Sequence, residues 1–478
     1  MPFDAPISAE IWNAKYRFRS GGDLGDETVE ATWARVAAAI AEAEPARMRR
    51  HWRSEFETAL SDFKFLPAGR IIAGAGTGRA VTLFNCFVMG TIPDNLDGIF
   101  EHLREAALTM QQGGGVGMDF STIRPAGAPV RGVGAQASGP LSFMDAWDAM
   151  CRTVMSAGQR RGAMMGCLRI DHPDIEQFID AKRDPARLRN FNVSVLVTDA
   201  FMAALAADQD WPLQFGGQVQ RTVRARDLWA RVMRATYDAA EPGVIFIDRV
   251  NAENNLAYCE SIAATNPCGE QPLPPYGACL LGSINLSRLV KRPFEVDAEI
   301  DSQELERLTS TAVRFLDNVI DVSRFPLPQQ DEEAKAKRRI GVGFTGMGNT
   351  LAMLCLRYDA PDGREMAARI AAMSTSAGVL VVSCIRMRSG WNSISASLVP
   401  VAGHASRAAT ASSRCAPCPL RTTFSSSNRS TTGISARRAP ATAGRSTRAS
   451  RSPLKSSAPG GYGSTAAGPA VDDDSVMR

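Results

Sequence analysis

A change of character at about residue 374 limits the part of this chain that can fold into a packed domain. Between Glu365 and Asp472 the sequence contains no acidic residue, and Ser, Ala, Arg, Thr and Pro dominate. Neither helical nor strand periodicity continues there, and large apolar residues for a core are few. We therefore expect residues 1–373 to build the fold and residues 374–478 to form a separate low-complexity segment.

Two interpretations of residues 374–478 remain open. The segment is either a natural disordered basic tail or the out-of-frame translation of GC-rich DNA. The break falls inside an amphipathic helix, where a natural linker does not start, and this favours the second interpretation. The formal net charge of +4 also comes from this segment, since the rest of the chain is net acidic. A basic charge confined to one segment gives weak support for nucleic-acid binding, and we predict no nucleic-acid partner.

Strand-like and helical runs alternate along residues 65–373, after a helical region at 1–64. We predict helices at 26–44 (with Asp26 as N-cap), 95–112, 142–158, 172–183, 226–240, 301–322 and 346–356, and strands at 81–89, 191–198 and 244–250. This alternation indicates an α/β architecture with a largely buried sheet.

The apolar runs, cysteines and histidines of the sequence lead to expectations about the cellular compartment and about metal sites. No apolar run reaches the length of a bilayer span, and the N-terminus lacks the pattern of a signal peptide. We therefore expect a cytoplasmic protein without membrane association, whose 10 cysteines are mostly reduced. The 4 histidines do not pair with cysteines at a zinc-site spacing, so no metal site is predicted.

The run Asn266-Pro267-Cys268-Gly269-Glu270 is the strongest indication of chemistry. It places an amide, a thiol and a carboxylate at alternate positions, and on an extended loop this spacing would turn all three side chains to the same face. One substrate ring could then meet a reactive sulfur, a proton acceptor and an orienting hydrogen bond. The alternative is a proline-punctuated loop with an incidental buried cysteine, and the run alone leaves both interpretations open.

The segment NPCGEQPLPPYGACLLGSINL (266–286) resembles the finger loop of ribonucleotide reductases, and is most similar to the adenosylcobalamin-dependent (class II) enzymes. The further matching segments are PAGRIIAGAGTG (67–78), LFNCFVMG (83–90), QQGGGVGMDFSTIRPAGAPVRG (111–132), GQRRGAMMGCLRIDHPDIEQFI (158–179) and RRIGVGFTGMGNTLAML (338–354). The resemblance covers residues 1–373. It implies a ten-stranded α/β barrel with a central finger loop, here incomplete in its second half, in a barrel region spanning 65–373.

The resemblance also implies roles for individual residues. Cys268 would carry the transient thiyl radical that abstracts the substrate 3′-hydrogen, Glu270 would accept the 3′-hydroxyl proton, and Asn266 would hydrogen-bond the ribose. Cys86 and Cys279 match the reducing pair that ends as a disulfide. Taken without the resemblance, Cys86 in its apolar run would be a packed small hydrophobe. The substrate-binding residues implied are Asn85, Cys86, Gly115, Asn266, Pro267, Cys268, Gly269 and Glu270.

A specificity site for a deoxynucleoside triphosphate is implied in the same way. Asp94, Asn95 and Leu96 at a helix start match the part that contacts the effector nucleoside, and Arg124 and Arg131 match its phosphate-contacting part. A helix start with nearby arginines suits a triphosphate physically. The alternative is that Asp94 is an N-cap and the arginines are solvated. Residues 159–162 resemble the loop that relays effector identity to the substrate.

The activity implied is the reduction of ribonucleotides to 2′-deoxyribonucleotides with adenosylcobalamin as radical source. Similarity to the dimeric cobalamin group favours diphosphate substrates and a homodimer, and a thioredoxin- or glutaredoxin-type protein would serve as reductant. A glycyl radical enzyme is an alternative that the pair Cys86 and Cys279 argues against. A nucleic-acid binder would depend on residues 374–478.

Parts of the family pattern are missing from the sequence. The proline-threonine-glycine loop that cradles substrate phosphates is not found after residue 373, and Cys415 and Cys418 only imitate the C-terminal cysteine pair. We therefore expect this exact chain to be catalytically impaired. The alternative function is a truncated, inactive fragment that retains at most effector or subunit binding.

Overall fold

The protein is described by a computed structural model that covers residues 3, 5–20, 23–130, 132, 134–154 and 162–376. The predictions for Arg131, for residues 159–161 and for residues 377–478 lie outside these residues.

The helices are α1 (Pro6–Ile11), α2 (Val29–Ala41), α3 (Ala46–Leu60), α4 (Gly69–Gly74), α5 (Leu96–Gln111), α6 (Gly139–Thr153), α7 (Ile175–Asp180), α8 (Asp199–Ala206), α9 (Ala225–Ala239), α10 (Ile247–Ala252), α11 (Ser302–Val322), α12 (Pro328–Lys337), α13 (Met347–Met353) and α14 (Pro361–Ser376).

The strands are β1 (Arg19–Ser20), β2 (Asp23–Leu24), β3 (Phe65–Pro67), β4 (Cys86–Val88), β5 (Gly115–Asp119), β6 (Pro129–Val130), β7 (Ala135–Gln136), β8 (Met164–Arg169), β9 (Phe191–Val197), β10 (Asp210–Phe215), β11 (Gln218–Arg224), β12 (Gly243–Phe246), β13 (Ala264–Thr265), β14 (Pro272–Leu273), β15 (Ala278–Asn285), β16 (Val290–Lys291), β17 (Glu299–Ile300) and β18 (Ile340–Thr345).

The main sheet has eight strands, seven of them in the order β12-β9-β8-β5-β4-β15-β18, with β3 paired to β15. Five consecutive strands from β12 to β4 run parallel to one another, and β15 and β18 form a second parallel set. The two sets meet antiparallel where β4 pairs with β15. This mixed α/β sheet, with a helical region before it, confirms the predicted fold class as an incomplete barrel.

Alternation of side chains separates the sheet into two faces. On one face Val116, Met164 and Val193 join the core that packs against α5 to α9. The opposite face, called the inner face below, carries Cys86, Gly115, Gly117, Met165, Cys167, Asn192 and Cys279. Its apolar members pack with Ala264 and Leu273 of β13 and β14. The inner face is therefore covered by the segment that contains residues 266–270.

The N-terminal helices pack against the second part of the sheet. Val36 of α2 and Phe56 of α3 share a buried core with Phe315 of α11 and Leu280 of β15. The predicted cap of α2 is wrong, because Thr28 accepts the hydrogen bond from the backbone N–H of Ala31. Asp26 is buried and bonds instead to the guanidinium of Arg35.

Most predicted elements are present with shifted ends. The strand predicted at 81–89 is limited to Cys86–Val88, and the one predicted at 244–250 ends at Phe246, where α10 begins. Apolar runs of this length do not distinguish a strand from a buried helix. Within the described residues, no helix combines the length and apolarity of a membrane span.

Candidate active site

The segment predicted as a finger loop is a short β-hairpin. Thr265 and Ala264 of β13 pair with Pro272 and Leu273 of β14. Beyond this stem, the backbone N–H of Asn266 donates to the carbonyl of Gln271 at 3.2 Å. The N–H of Gln271 returns a 2.9 Å bond to the side-chain Oδ1 of Asn266. The residues between them form the tip.

The tip is a tight turn, and the prediction of an extended loop is wrong. The N–H of Gly269 donates to the carbonyl of Asn266 at 3.0 Å, and Gly269 has a φ of 83°. Asparagine first, proline second and glycine fourth is the sequence typical of a type I turn. The turn separates the side chains: Asn266 is 0% exposed, whereas Cys268 is exposed.

Two glycines of β5 let the hairpin lie directly on the sheet. A Cβ atom at Gly115 would lie 2.8 Å from Cγ of Pro267. A Cβ atom at Gly117 would overlap the carbonyl oxygen of Thr265. Alternate glycines in a strand mark such close backbone approach. Gly115 was predicted at the site, but Gly117 was missed, although its spacing from Gly115 was a usable signal.

Asn266 connects the tip to the predicted reducing pair. Its Nδ2 donates to Sγ of Cys86 at 3.2 Å, and its Oδ1 also accepts from the hydroxyl of Thr265 at 3.1 Å. The amide is thus bonded within the protein on both sides. Its contact with a ribose stays a prediction.

Cys86 and Cys279 are directly opposite each other where β4 pairs with β15. Directly opposed residues of an antiparallel pair have Cβ atoms about 4.5–5.5 Å apart. Both cysteines are buried, and neither is part of a disulfide bond. The structure therefore brings together two thiols that are far apart in sequence, at a separation from which a disulfide is reached by a small adjustment.

Burial, with smaller contributions from the neighbouring Cys86 and Glu270, raises the pKa of the Cys279 thiol to about 12 against an opposing effect of Arg339. The thiolate is the nucleophilic form of cysteine. At neutral pH Cys279 is therefore held as a thiol, which is the form that can give up hydrogen.

We expect alkylation of Cys279 by iodoacetamide to be slow at pH 7 and to rise about tenfold per pH unit up to pH 9.5, because only the thiolate reacts. An ordinary thiol levels off above about pH 8.5. Peptide-resolved mass spectrometry of the folded chain measures both rates, with the exposed Cys259 as comparator. Equal labelling of the two cysteines at pH 7 would contradict this protonation state.

Two buried oxygen atoms at the site have no hydrogen-bond partner among the described residues. They are Oε2 of Glu270 and Oδ1 of Asn85. Buried polar atoms are nearly always paired, so each is an acceptor available to a ligand. Glu270 follows the exposed Cys268 by two residues, and Asn85 precedes Cys86. The predicted proton acceptor and one predicted substrate contact thus present unused acceptors.

The described effector residues, Asp94, Asn95, Leu96 and Arg124, gather at the start of α5. Asp94 is bonded to the guanidinium of Arg124 at 2.9 Å and to its backbone N–H at 3.0 Å. Asn95 is the N-cap, accepting from the N–H of Gly98, so the alternative in which Asp94 caps the helix is wrong. Leu96 is 62% exposed. The guanidinium of Arg124 is neither free nor buried, and a phosphate would have to share it with Asp94.

A hydrogen bond joins α5 to the segment between the hairpin and Cys279. The hydroxyl of Tyr276 donates to the carboxylate of Glu105 at 3.2 Å. Burial together with the neighbouring charge of Glu105 raises the pKa of Tyr276 to about 12. The helix that starts at the predicted effector site therefore holds the segment leading to the reducing pair.

A cavity of about 400 Å³ between α3, β16 and the start of α11 is not part of this site. Its basic side chains include Lys64, Lys291 and Arg307, each of which forms an ion pair with a neighbouring carboxylate. No residue of the hairpin lines it.

An incomplete α/β barrel with a cysteine-tipped hairpin beside a buried cysteine pair is the arrangement implied by the resemblance to ribonucleotide reductases. The ribonucleotide reductase barrel domain family matches residues 84–384, and the ribonucleotide reductase all-alpha domain family matches residues 3–80. The chain belongs to the ribonucleotide reductase family.

Individual relatives agree with this assignment. The chain is 40% identical over 354 residues to the vitamin B12-dependent ribonucleoside-diphosphate reductase of Mycobacterium tuberculosis (strain ATCC 25618 / H37Rv), covering 73% of this chain and 48% of the relative. It is 38% identical over 324 residues to the enzyme of the same name from Thermoplasma acidophilum, covering 67% and 41%. It is 28% identical over 326 residues to the vitamin B12-dependent ribonucleotide reductase of Streptomyces coelicolor, covering 63% and 34%. The chain spans half or less of the length of these curated relatives.

Proposed function

We propose that this chain carries the catalytic half-site of a ribonucleoside-diphosphate reductase that works through a thiyl radical on Cys268. The observation that carries the proposal is the placement of Cys268 on the hairpin tip. Asn266 of the same tip is hydrogen-bonded to Cys86, which lies opposite Cys279. The diphosphate substrate is proposed from the names of two relatives that are 40% and 38% identical to this chain.

Each residue of the site has a chemical task in this proposal. The radical at Cys268 takes the hydrogen atom from the 3′-carbon of the ribose. Glu270, whose Oε2 has no partner among the described residues, accepts the proton of the 3′-hydroxyl as general base. Asn85 offers an acceptor to the substrate in the same way. Gly115 and the turn of residues 266–270 shape the surface on which the ribose lies.

The overall reaction requires two electrons and two protons. The bond between the 2′-carbon and its hydroxyl breaks, and the oxygen leaves as water. The thiols of Cys86 and Cys279 supply the two hydrogen equivalents, and a disulfide forms between their sulfur atoms. A thioredoxin- or glutaredoxin-type protein then restores both thiols by exchange. The protonated state of Cys279 suits this use.

The cofactor proposed is adenosylcobalamin, because two relatives that are 40% and 38% identical to this chain are named vitamin B12-dependent. Cobalamin would supply the radical by homolysis of its cobalt–carbon bond. The exposure of Cys268 leaves its sulfur accessible from outside. Among the described histidines, His102 and His172 are buried, and each bonds through Nε2 to a backbone carbonyl inside the protein. No residue is therefore assigned to this cofactor.

Regulation by a deoxynucleoside triphosphate is proposed at the start of α5. Asn95 and Leu96 lie at the helix terminus, and Arg124 is joined to the same turn through Asp94. The bond between Tyr276 and Glu105 gives α5 a physical link toward Cys279. A homodimer is proposed as the assembly.

The function is tested by incubating the full chain with a ribonucleoside diphosphate, adenosylcobalamin, dithiothreitol and a deoxynucleoside triphosphate. The chain is kept in excess over the substrate so that even slow formation of deoxynucleotide can be detected. We expect one deoxynucleotide per active chain before dithiothreitol recycles the cysteine pair. Binding of the deoxynucleoside triphosphate without any deoxynucleotide would instead identify an inactive fragment that retains effector binding.

A further inference from the structure

Three neighbouring strands carry the underside of the finger hairpin. Gly117 of β5 pairs with Met165 of β8, and Met165 pairs with Asn192 of β9, so the three residues form one row on the inner face. Gly117 lies against Thr265, and the methyl group of Met165 is 3.8 Å from the Cβ position of Gly269. The row ends at Asn192, beneath the tip.

Asn192 differs from every other residue of its strand. The remaining six residues of β9 are buried, whereas Asn192 is exposed. Its Nδ2 donates a 2.7 Å hydrogen bond to the carbonyl oxygen of Pro267. That carbonyl belongs to the peptide bond that joins Pro267 to Cys268. An exposed polar side chain within a buried strand is thus directed at the residue next to the reactive sulfur.

We propose that Asn192 is the positioning residue of Cys268, fixing the turn at the hairpin tip so that the sulfur keeps one place above the sheet. This inference rests on the role proposed for Cys268. The turn is also held by bonds among Asn266, Gly269 and Gln271 within the hairpin, and its first residue, Asn266, is bonded to Cys86 of β4. The bond from Asn192 ties the peptide bond between Pro267 and Cys268 directly to strand β9 of the sheet.

Position matters here because hydrogen-atom transfer needs the reacting atoms at near-contact distance. A displacement of about 1 Å at such a site can cost on the order of a hundredfold in rate. Proline supplies no N–H, so the carbonyl of Pro267 is the polar backbone group available on that residue. A donor reaching it from β9 limits rotation of the peptide bond that leads to Cys268.

The test compares hydrogen exchange of the full chain with that of Asn192→Ala and Asn192→Asp, followed by mass spectrometry of peptides covering residues 262–276. Loss of one neutral hydrogen bond should speed exchange at the tip about fivefold. Asn192→Asp keeps the shape but replaces the donor with an acceptor that faces a carbonyl, so exchange should rise at least as much. Peptides from β15 and β18 should be unchanged in both variants.

Gln220→Ala is the matched control, because it removes an exposed amide from β11, which pairs with β10 away from the main sheet. It should leave exchange at residues 262–276 unaltered.

Unchanged exchange at the tip in Asn192→Ala would overturn the proposal, and so would a uniform rise across the whole sheet. Exchange does not depend on turnover, so faster exchange in a chain that forms no deoxynucleotide would retain the positioning role and reject the proposed function. In an active chain, Asn192→Ala should lower kcat and leave KM unchanged.

Discussion

Cys268→Ser is expected to abolish deoxynucleotide formation, by a factor on the order of a thousand or more, without loss of stability. A serine hydroxyl cannot take the place of a thiyl radical in abstracting the 3′-hydrogen. The side chain is exposed at the hairpin tip, so exchanging sulfur for oxygen leaves no cavity. Product formation under enzyme excess measures the loss, and thermal unfolding verifies that the fold is kept.

Cys259→Ser is the matched control, because Cys259 is an exposed cysteine like Cys268 but precedes the hairpin. It should retain full activity. Deoxynucleotide formation by Cys268→Ser at a rate close to that of Cys259→Ser would show that another residue carries the radical.

Glu270→Gln should give an intermediate loss of deoxynucleotide formation, since the amide keeps the shape but not the basicity of the proton acceptor.

Gly117→Ala is expected to displace the finger hairpin from the sheet. The new methyl group would overlap the carbonyl oxygen of Thr265, and the next-nearest atom is the carbonyl carbon of the same residue. Both are backbone atoms, so no change of side-chain rotamer relieves the overlap. Overpacking of this kind costs roughly 1–3 kcal/mol and sometimes more. We expect a lower melting temperature, rapid exchange in residues 262–276 and loss of activity.

Two further glycines calibrate this effect. Gly115→Ala would bring its methyl group to 2.8 Å from the ring of Pro267, which can shift slightly, so a smaller loss is expected. Gly343→Ala in β18 meets no atom within 4 Å and should change stability little. If Gly117→Ala were as stable and as active as Gly343→Ala, the close approach of hairpin and sheet would be refuted.

The fold class could be predicted from the sequence, but the shape of the candidate site could not. Alternation of strands and helices was sufficient for the α/β class, and the family resemblance identified Cys86 and Cys279, which lie opposite each other. The spacing of Asn266, Cys268 and Glu270 misled, because alternate positions share a face only on an extended backbone. Proline and glycine in that run form a turn, which buries Asn266 and exposes Cys268.

What the sequence could not provide were contacts made by residues distant along the chain. Asn192 sits in an unremarkable strand sequence, and only the pairing of β8 with β9 places it under the hairpin. Aspartate is a residue type favoured at helix N-caps, but Asp26 is buried in an ion pair with Arg35, and Thr28 caps the helix instead. In both cases a local propensity was outweighed by a partner that appears only in the folded chain.

The junction between the two parallel sets of strands has a mechanical consequence. β4 and β15 meet through two residue pairs, and one of them is the pair Cys86 and Cys279. Oxidation there would cross-link points roughly 190 residues apart, closing a long loop and opposing unfolding by about 5 kcal/mol in the chain-entropy view. With both thiols reduced, this narrow seam has no covalent tie. A reaction that oxidises and then restores these thiols would alternately form and break a covalent link between the two parallel sets of strands. The rigidity of the sheet would then rise and fall with each turnover.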